Sequence, residues 1–149
     1  MFGHLAGCNE CVLWARGGPK MIPIWDEETY TRDHTGTVTI EQGPLLTYCF
    51  DLDGTLCTTE AEYADAQPIP ERIAVVNALY DAGHKIIIDT ARCYVLKERL
   101  EEIRALTLNQ LKLWGVQYHE LRIGSKIAAD VYVDDKGQNA ELFFRDTHD

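Results

Sequence analysis

Two runs of apolar, β-prone residues stand out in the chain, and a helically spaced stretch separates them. The first, Leu45 to Phe50, is uncharged and carries aromatics, which predicts a strand buried on both faces. It ends in Asp51-Leu52-Asp53-Gly54-Thr55, where Gly54 supplies a sharp exit. Leu56 to Gln67 is polar without a period and reads as a loop or small flap. Pro70 suits the first turn of a helix. Ile73, Val76, Leu79 and Tyr80 then form an apolar face at helical spacing, closed by Gly83. The second run, Ile86-Ile87-Ile88, is continuous and β-branched, which predicts an interior strand leading into Asp89-Thr90-Ala91-Arg92.

The pattern turns helical again from Tyr94 to Trp114, with Leu96, Leu100, Ile103, Leu111 and Trp114 at the apolar positions. Thr107-x-x-Gln110 has capping-box spacing, so a second helix could begin inside that stretch. Beyond Gly115, Val116 to Ile123 predicts a third strand and Ala128 to Val133 a fourth, ending in Asp134-Asp135. Gln138 to Arg145 predicts a short closing helix with Leu142 and Phe143 inward. Strand, helix and strand in this order form a right-handed βαβ unit. The whole predicts an α/β, three-layer Rossmann-like fold: a parallel sheet with helices on both faces.

Ahead of this block, residues 1–42 read as an N-terminal extension to a domain at 43–149. Thr37 to Glu41 alternates like an edge strand before Gln42-Gly43-Pro44 breaks the chain. His4, Cys8 and Cys11 supply half of a zinc knuckle, but no second cysteine pair follows, so two free thiols are the simpler reading.

The 149 residues suit one domain with a proper core. A net charge of −10 disfavours nucleic acid and anionic membranes as partners, since phosphates call for basic contacts. No apolar run approaches transmembrane length, and the start lacks the pattern of a signal peptide, so cytoplasmic is the expected location. Five scattered cysteines fit reduced thiols.

The chemistry collects at the expected carboxyl ends of the strands, where open α/β sheets bind ligands. The first strand brings Asp51 and Asp53, which share one side of an extended backbone roughly 6–7 Å apart. A pair of anions that close is either an exposed acidic turn or a site for a cation or a shared proton. The second strand brings Asp89, Thr90 and Arg92, the next connection Ser125 and Lys126, and the fourth strand Asp134 and Asp135. Acids, a hydroxyl and a lysine together are what Mg²⁺-assisted phosphoryl transfer uses: oxygen ligands for the ion, a carboxylate nucleophile, an acid–base group and a cation.

Asp51-x-Asp53-Gly54-Thr55, Ile88-Asp89-Thr90-Ala91-Arg92, Lys126 and Asp134-Asp135, in that order, resemble the haloacid dehalogenase-like phosphatase superfamily over about residues 46 to 145. The chain has no room for a cap domain, like the capless branch. Trp114-Gly115-Val116-Gln117-Tyr118-His119-Glu120-Leu121 and the stretch from Lys126 to Lys136 are similar to small phosphatases of capsule or surface-polysaccharide synthesis. The resemblance implies a Mg²⁺-dependent phosphomonoesterase acting on a small metabolite such as a sugar phosphate. It implies Asp51 as nucleophile, Asp53 as acid and then base with its carbonyl on Mg²⁺, and Thr90 and Lys126 on the phosphoryl group. Asp134 and Asp135 complete the metal site, and Thr55 and Arg92 contact substrate. Ile127 departs from the proline that such relatives carry after the lysine, and Cys93 to Leu106 matches no family stretch. A capless enzyme often borrows a neighbouring subunit as a roof, which leaves room for a homo-oligomer.

Simpler roles stand beside these: Thr90 as a helix cap, Lys126 on the surface, Arg92 solvated at a helix start, and Cys49, Cys57 and Cys93 as core or flap thiols. Two other functions use similar residues. A receiver-like phospho-acceptor domain places its acceptor after a middle strand, unlike Asp51. A nucleic-acid 3′-phosphatase would need a basic surface that this composition lacks.

Overall fold

The computed structural model describes residues 29–146. The His4, Cys8 and Cys11 cluster lies outside them, as does the start of the chain. The elements run β1 (Tyr30–Arg32), β2 (Val38–Ile40), β3 (Thr47–Phe50), α1 (Pro70–Asp81), β4 (Lys85–Thr90), α2 (Leu100–Leu113), β5 (Glu120–Ile123) and α3 (Ala140–Phe144). Short 3₁₀ turns occupy Tyr63–Asp65 and Lys97–Arg99. The fold is α/β. β3, β4 and β5 form a parallel sheet in that order, and β1 and β2 pair as an antiparallel hairpin.

Both long helices end in the same way. After α1, Gly83 sits at φ +99°; its amide donates to Tyr80 O and the His84 amide to Leu79 O. After α2, the Gly115 amide donates to Lys112 O and the Val116 amide to Leu111 O. These are paired C-terminal bonds around a left-handed residue, which satisfy carbonyls a helix end would otherwise leave open. Pro70 occupies the first turn of α1, where a missing amide costs nothing. The apolar face expected on α1 is real: Ile73, Val76 and Leu79 are buried with Val75 against Ile86 and Ile88.

Four expectations need correction. Ala128 to Val133 is not a fourth strand, and Val131, Tyr132 and Val133 are exposed. The connection decides it. Only residues 124–127 separate β5 from Ala128, whereas a parallel neighbour needs a crossover of about a dozen residues or more. The Tyr132 hydroxyl instead donates to Ile127 O and accepts from the Ala129 amide, closing a local turn. β3 is consequently an edge strand of this sheet, with Thr47 and Cys49 exposed, rather than one buried on both faces. Thr107 caps nothing: it lies in mid-helix, its hydroxyl donating to Ile103 O. In α3, Leu142 faces solvent while Phe144 is buried and Phe143 half-buried.

The strand read at Thr37 to Glu41 is present as β2, and its partner β1 was not legible in advance. The hairpin belongs to the core. Tyr30 is 1% exposed, and its hydroxyl donates to Phe143 O at 3.0 Å. Phe143 in turn packs on Tyr48 and Phe50 of β3. Tyr30→Ala therefore removes a core ring, and we expect a loss of about 3–5 kcal/mol in denaturant unfolding. A loss under about 1 kcal/mol would mean that the hairpin is an appendage.

Candidate active site

The register sets the site. Phe50 pairs with Ile88, so one residue further on β3 delivers Asp51 beside Asp89 of β4. Phe50 and Leu52 point into the core, at 7% and 0% exposure, and the intervening Asp51 and Asp53 remain partly accessible. The chain then wraps round the Leu52 carbonyl, which accepts from the amides of Thr55 and Leu56. Gly54 makes this turn at φ +82°, a conformation that side chains rarely adopt, with its amide donating to Cys57 O at 2.8 Å.

Asp51 gathers two of the expected residues. The Lys126 ammonium donates to Asp51 Oδ1 at 3.2 Å, and to Asp89 O at 3.4 Å. The Thr55 hydroxyl donates to Asp51 Oδ2 at 3.2 Å. Lys126 also lies 5.2 Å from the Tyr132 ring centroid. The surface-lysine reading of Lys126 fails on these contacts.

Asp53 is held differently. Arg92 Nε donates to Asp53 Oδ2 at 2.8 Å and Arg92 Nη2 to Oδ1 at 2.7 Å, a bidentate pair. Arg92 Nη1 donates to Thr107 Oγ1 and Gln110 Oε1 at 3.0 and 2.7 Å, and its guanidinium lies 4.8 Å from the Tyr63 ring centroid. Burial opposes the Arg92 charge, but the hydrogen bonds and charge of Asp53 outweigh it and raise its pKa. Arg92 was expected to touch substrate; at 1% exposure it is enclosed and committed to Asp53. Thr107, Gln110 and Tyr63 were not expected at the site. Their one signal was the three-residue spacing of Thr107 and Gln110, which places both on one helix face as readily as it makes a cap.

Thr90 is 1% exposed, and its hydroxyl oxygen accepts from the Arg92 amide at 3.2 Å. Asp134 and Asp135 are exposed. The Lys136 amide donates to Asp134 Oδ1 at 2.7 Å and holds that carboxyl below its ordinary pKa.

The donors suit Mg²⁺ in kind, since Asp51, the Asp53 carbonyl, Asp134 and Asp135 all offer hard oxygen. Asp89 Oδ1 is buried without a hydrogen-bond partner, while the Asp89 backbone carbonyl accepts from Lys126. Among the described residues, however, no three acidic, His or Cys side chains stand together as a metal-holding group.

No family model matches the chain, and no curated protein sequence does. A solved crystal structure from Vibrio cholerae, which carries a target designation and no functional name, superposes with a TM-score of 0.60. It is 23% identical and covers 69% of this chain and 90% of its own. At that identity the likeness concerns the fold. No helix among the described residues is long and apolar enough to cross a membrane.

Cys57 completes the setting. It is fully buried, its sulfur 3.5 Å from Asp53 Oδ1. Burial, and then the Asp53 charge, pushes its pKa up to about 12 from 9.0. The folded state thus keeps a proton that the unfolded chain gives up above pH 9, so this contribution to stability is intact below pH 9 and lost as pH rises towards 12. We expect Tm to fall across that window, and Cys57→Ala to show a shallower fall. Parallel Tm-against-pH curves for the two proteins would contradict the assignment.

Proposed function

We propose that the chain is a Mg²⁺-dependent phosphomonoester hydrolase of the three-layer, capless haloacid dehalogenase-like type, acting on a small phosphorylated metabolite. The observation that carries the reading is the Lys126–Asp51 ion pair. A lysine 75 residues away in sequence sits on the first acid of the Asp51-x-Asp53 pair, where a phosphoryl group would be attacked.

In this mechanism Asp51 Oδ attacks phosphorus. The bond to the leaving oxygen breaks, and Asp53, which enters this step as the neutral acid, gives that oxygen its proton. An aspartyl-phosphate and an alcohol result. Asp53, now a carboxylate, takes a proton from water as the water oxygen attacks phosphorus; phosphate leaves and Asp51 is regenerated. Lys126 balances charge on the transferred group, and Thr55 orients Asp51 through its hydroxyl bond. Thr90, which the resemblance would set on the phosphoryl group, is as enclosed as Arg92, so no step is assigned to it. Mg²⁺, held by Asp51, the Asp53 carbonyl and Asp134 with Asp135 in support, would neutralise phosphoryl charge when bound. The partly exposed Asp51 side chain, at 39%, leaves the nucleophile open to substrate.

With Mg²⁺, an aryl phosphate should turn over. Asp51→Asn should reduce kcat by about 10⁴-fold or more, and Lys126→Met by about 10²–10³-fold. Undiminished rates in EDTA, or in Asp51→Asn, would sink the mechanism. A panel of sugar phosphates, nucleotides and 3′-phosphorylated oligonucleotides tests the substrate class, and a preference for the oligonucleotides would move the assignment to nucleic-acid end processing.

A further inference from the structure

The five N–H groups of Arg92 all have acceptors: Asp53 Oδ2 for Nε, Asp53 Oδ1 and the Cys57 sulfur for Nη2, and Thr107 and Gln110 for Nη1. We infer that Arg92 is a positioning residue for proton transfer: it fixes the Asp53 carboxylate in the orientation that serves the leaving oxygen, and it does not contact substrate. The inference rests on the phosphatase reading above.

Three observations carry it. First, Arg92 is enclosed, with a side-chain exposure of 0%, while the Asp53 side chain keeps 20%. The guanidinium can steer the acid but has no face left for a ligand. Second, the bidentate fork defines the plane of the carboxylate, which a single point charge would not do. A carboxylate offers about four lone-pair positions. Arg92 takes one position on each oxygen, and the Cys57 thiol, whose one proton is shared between Oδ1 and Leu52 O, lies 3.5 Å from Oδ1. That leaves a position on Oδ2 open for the transferred proton. Third, the fork is itself anchored. Thr107 is pinned to Ile103 O, and Gln110 Nε2 donates to Tyr63 O at 2.7 Å, so α2 and the 56–67 loop are tied to the same guanidinium. Turning Asp53 would break two charge-assisted bonds at once.

A general acid matters most when the leaving oxygen is a poor leaving group, and least for an activated aryl ester. The full chain with Mg²⁺ is therefore assayed on p-nitrophenyl phosphate and on an alkyl ester, glycerol phosphate. Arg92→Gln should lower kcat on the alkyl ester by about 10²-fold and on the aryl ester by less than about tenfold, with KM within about threefold. Arg92→Lys, charged but without a fork, should fall between the two. Gln110→Met loosens the anchor at a distance from the reacting atoms. It should shift the alkyl-to-aryl ratio in the same direction by a smaller factor, and it covers the case in which Arg92→Gln does not fold. Equal losses on both esters in every folded variant would reduce Arg92 to scaffolding. A raised KM at constant kcat would make it a substrate contact. Either result overturns the inference and leaves the phosphatase reading intact, whereas a wild type inert on both esters overturns that reading and the inference with it.

Discussion

A guanidinium taken out of water must have its donors met, and this constraint organises the centre of the molecule. Removing one partner from a buried ion pair typically costs about 3–5 kcal/mol, because the other charge is left stranded. Arg92 meets the condition by drawing on three separate parts of the chain. Asp53 and Cys57 come from the turn after β3, Thr107 and Gln110 from α2, and Tyr63 from the loop between. The orientation of Asp53 and the docking of α2 are therefore not independent. A change in either is felt through one side chain.

The second ion pair obeys different physics. Lys126 and Asp51 keep 21% and 39% side-chain exposure, so solvent screens their attraction and they add little to stability. In the proposed reaction the same openness would let both groups exchange partners, the lysine for a phosphoryl oxygen and the carboxylate for phosphorus. Two acids two residues apart thus sit in opposite settings, one locked and one available. The alternation of Phe50 and Leu52 into the core produces this arrangement, since it aims both acids away from the same apolar layer.

Much of this was legible in the chain because the signals were local. The Ile86–Ile88 run, the face of α1 and the two glycine helix ends follow from periodicity and backbone freedom. The meeting of Asp51 with Lys126 followed from parallel strands delivering their ends to one edge. What misled was spacing that serves two purposes. Thr107 and Gln110 stand three apart, which suits a helix cap and a shared helix face equally, and only the buried Arg92 opposite distinguishes them. The role of Arg92 was hidden for the same reason, because burial of a charged residue depends on partners distant in sequence. β1 is three residues long, too short for a period to show.

The segment after Lys126 shows how chain length can override residue type. Val131-Tyr132-Val133 has strand composition, and Asp134 and Asp135 have the chemistry of metal ligands. Yet Lys126 is tied to Asp51 at the carboxyl end of β3, and no crossover leads from there back to the start of the sheet. The segment accordingly folds on itself, through the Tyr132 hydroxyl and the Lys136 amide. These bonds are few and exposed, so they resist rearrangement only weakly. An ion held by both Asp51 and Asp134 would have to order this segment, and each residue newly fixed would cost about 1–2 kcal/mol of its binding free energy.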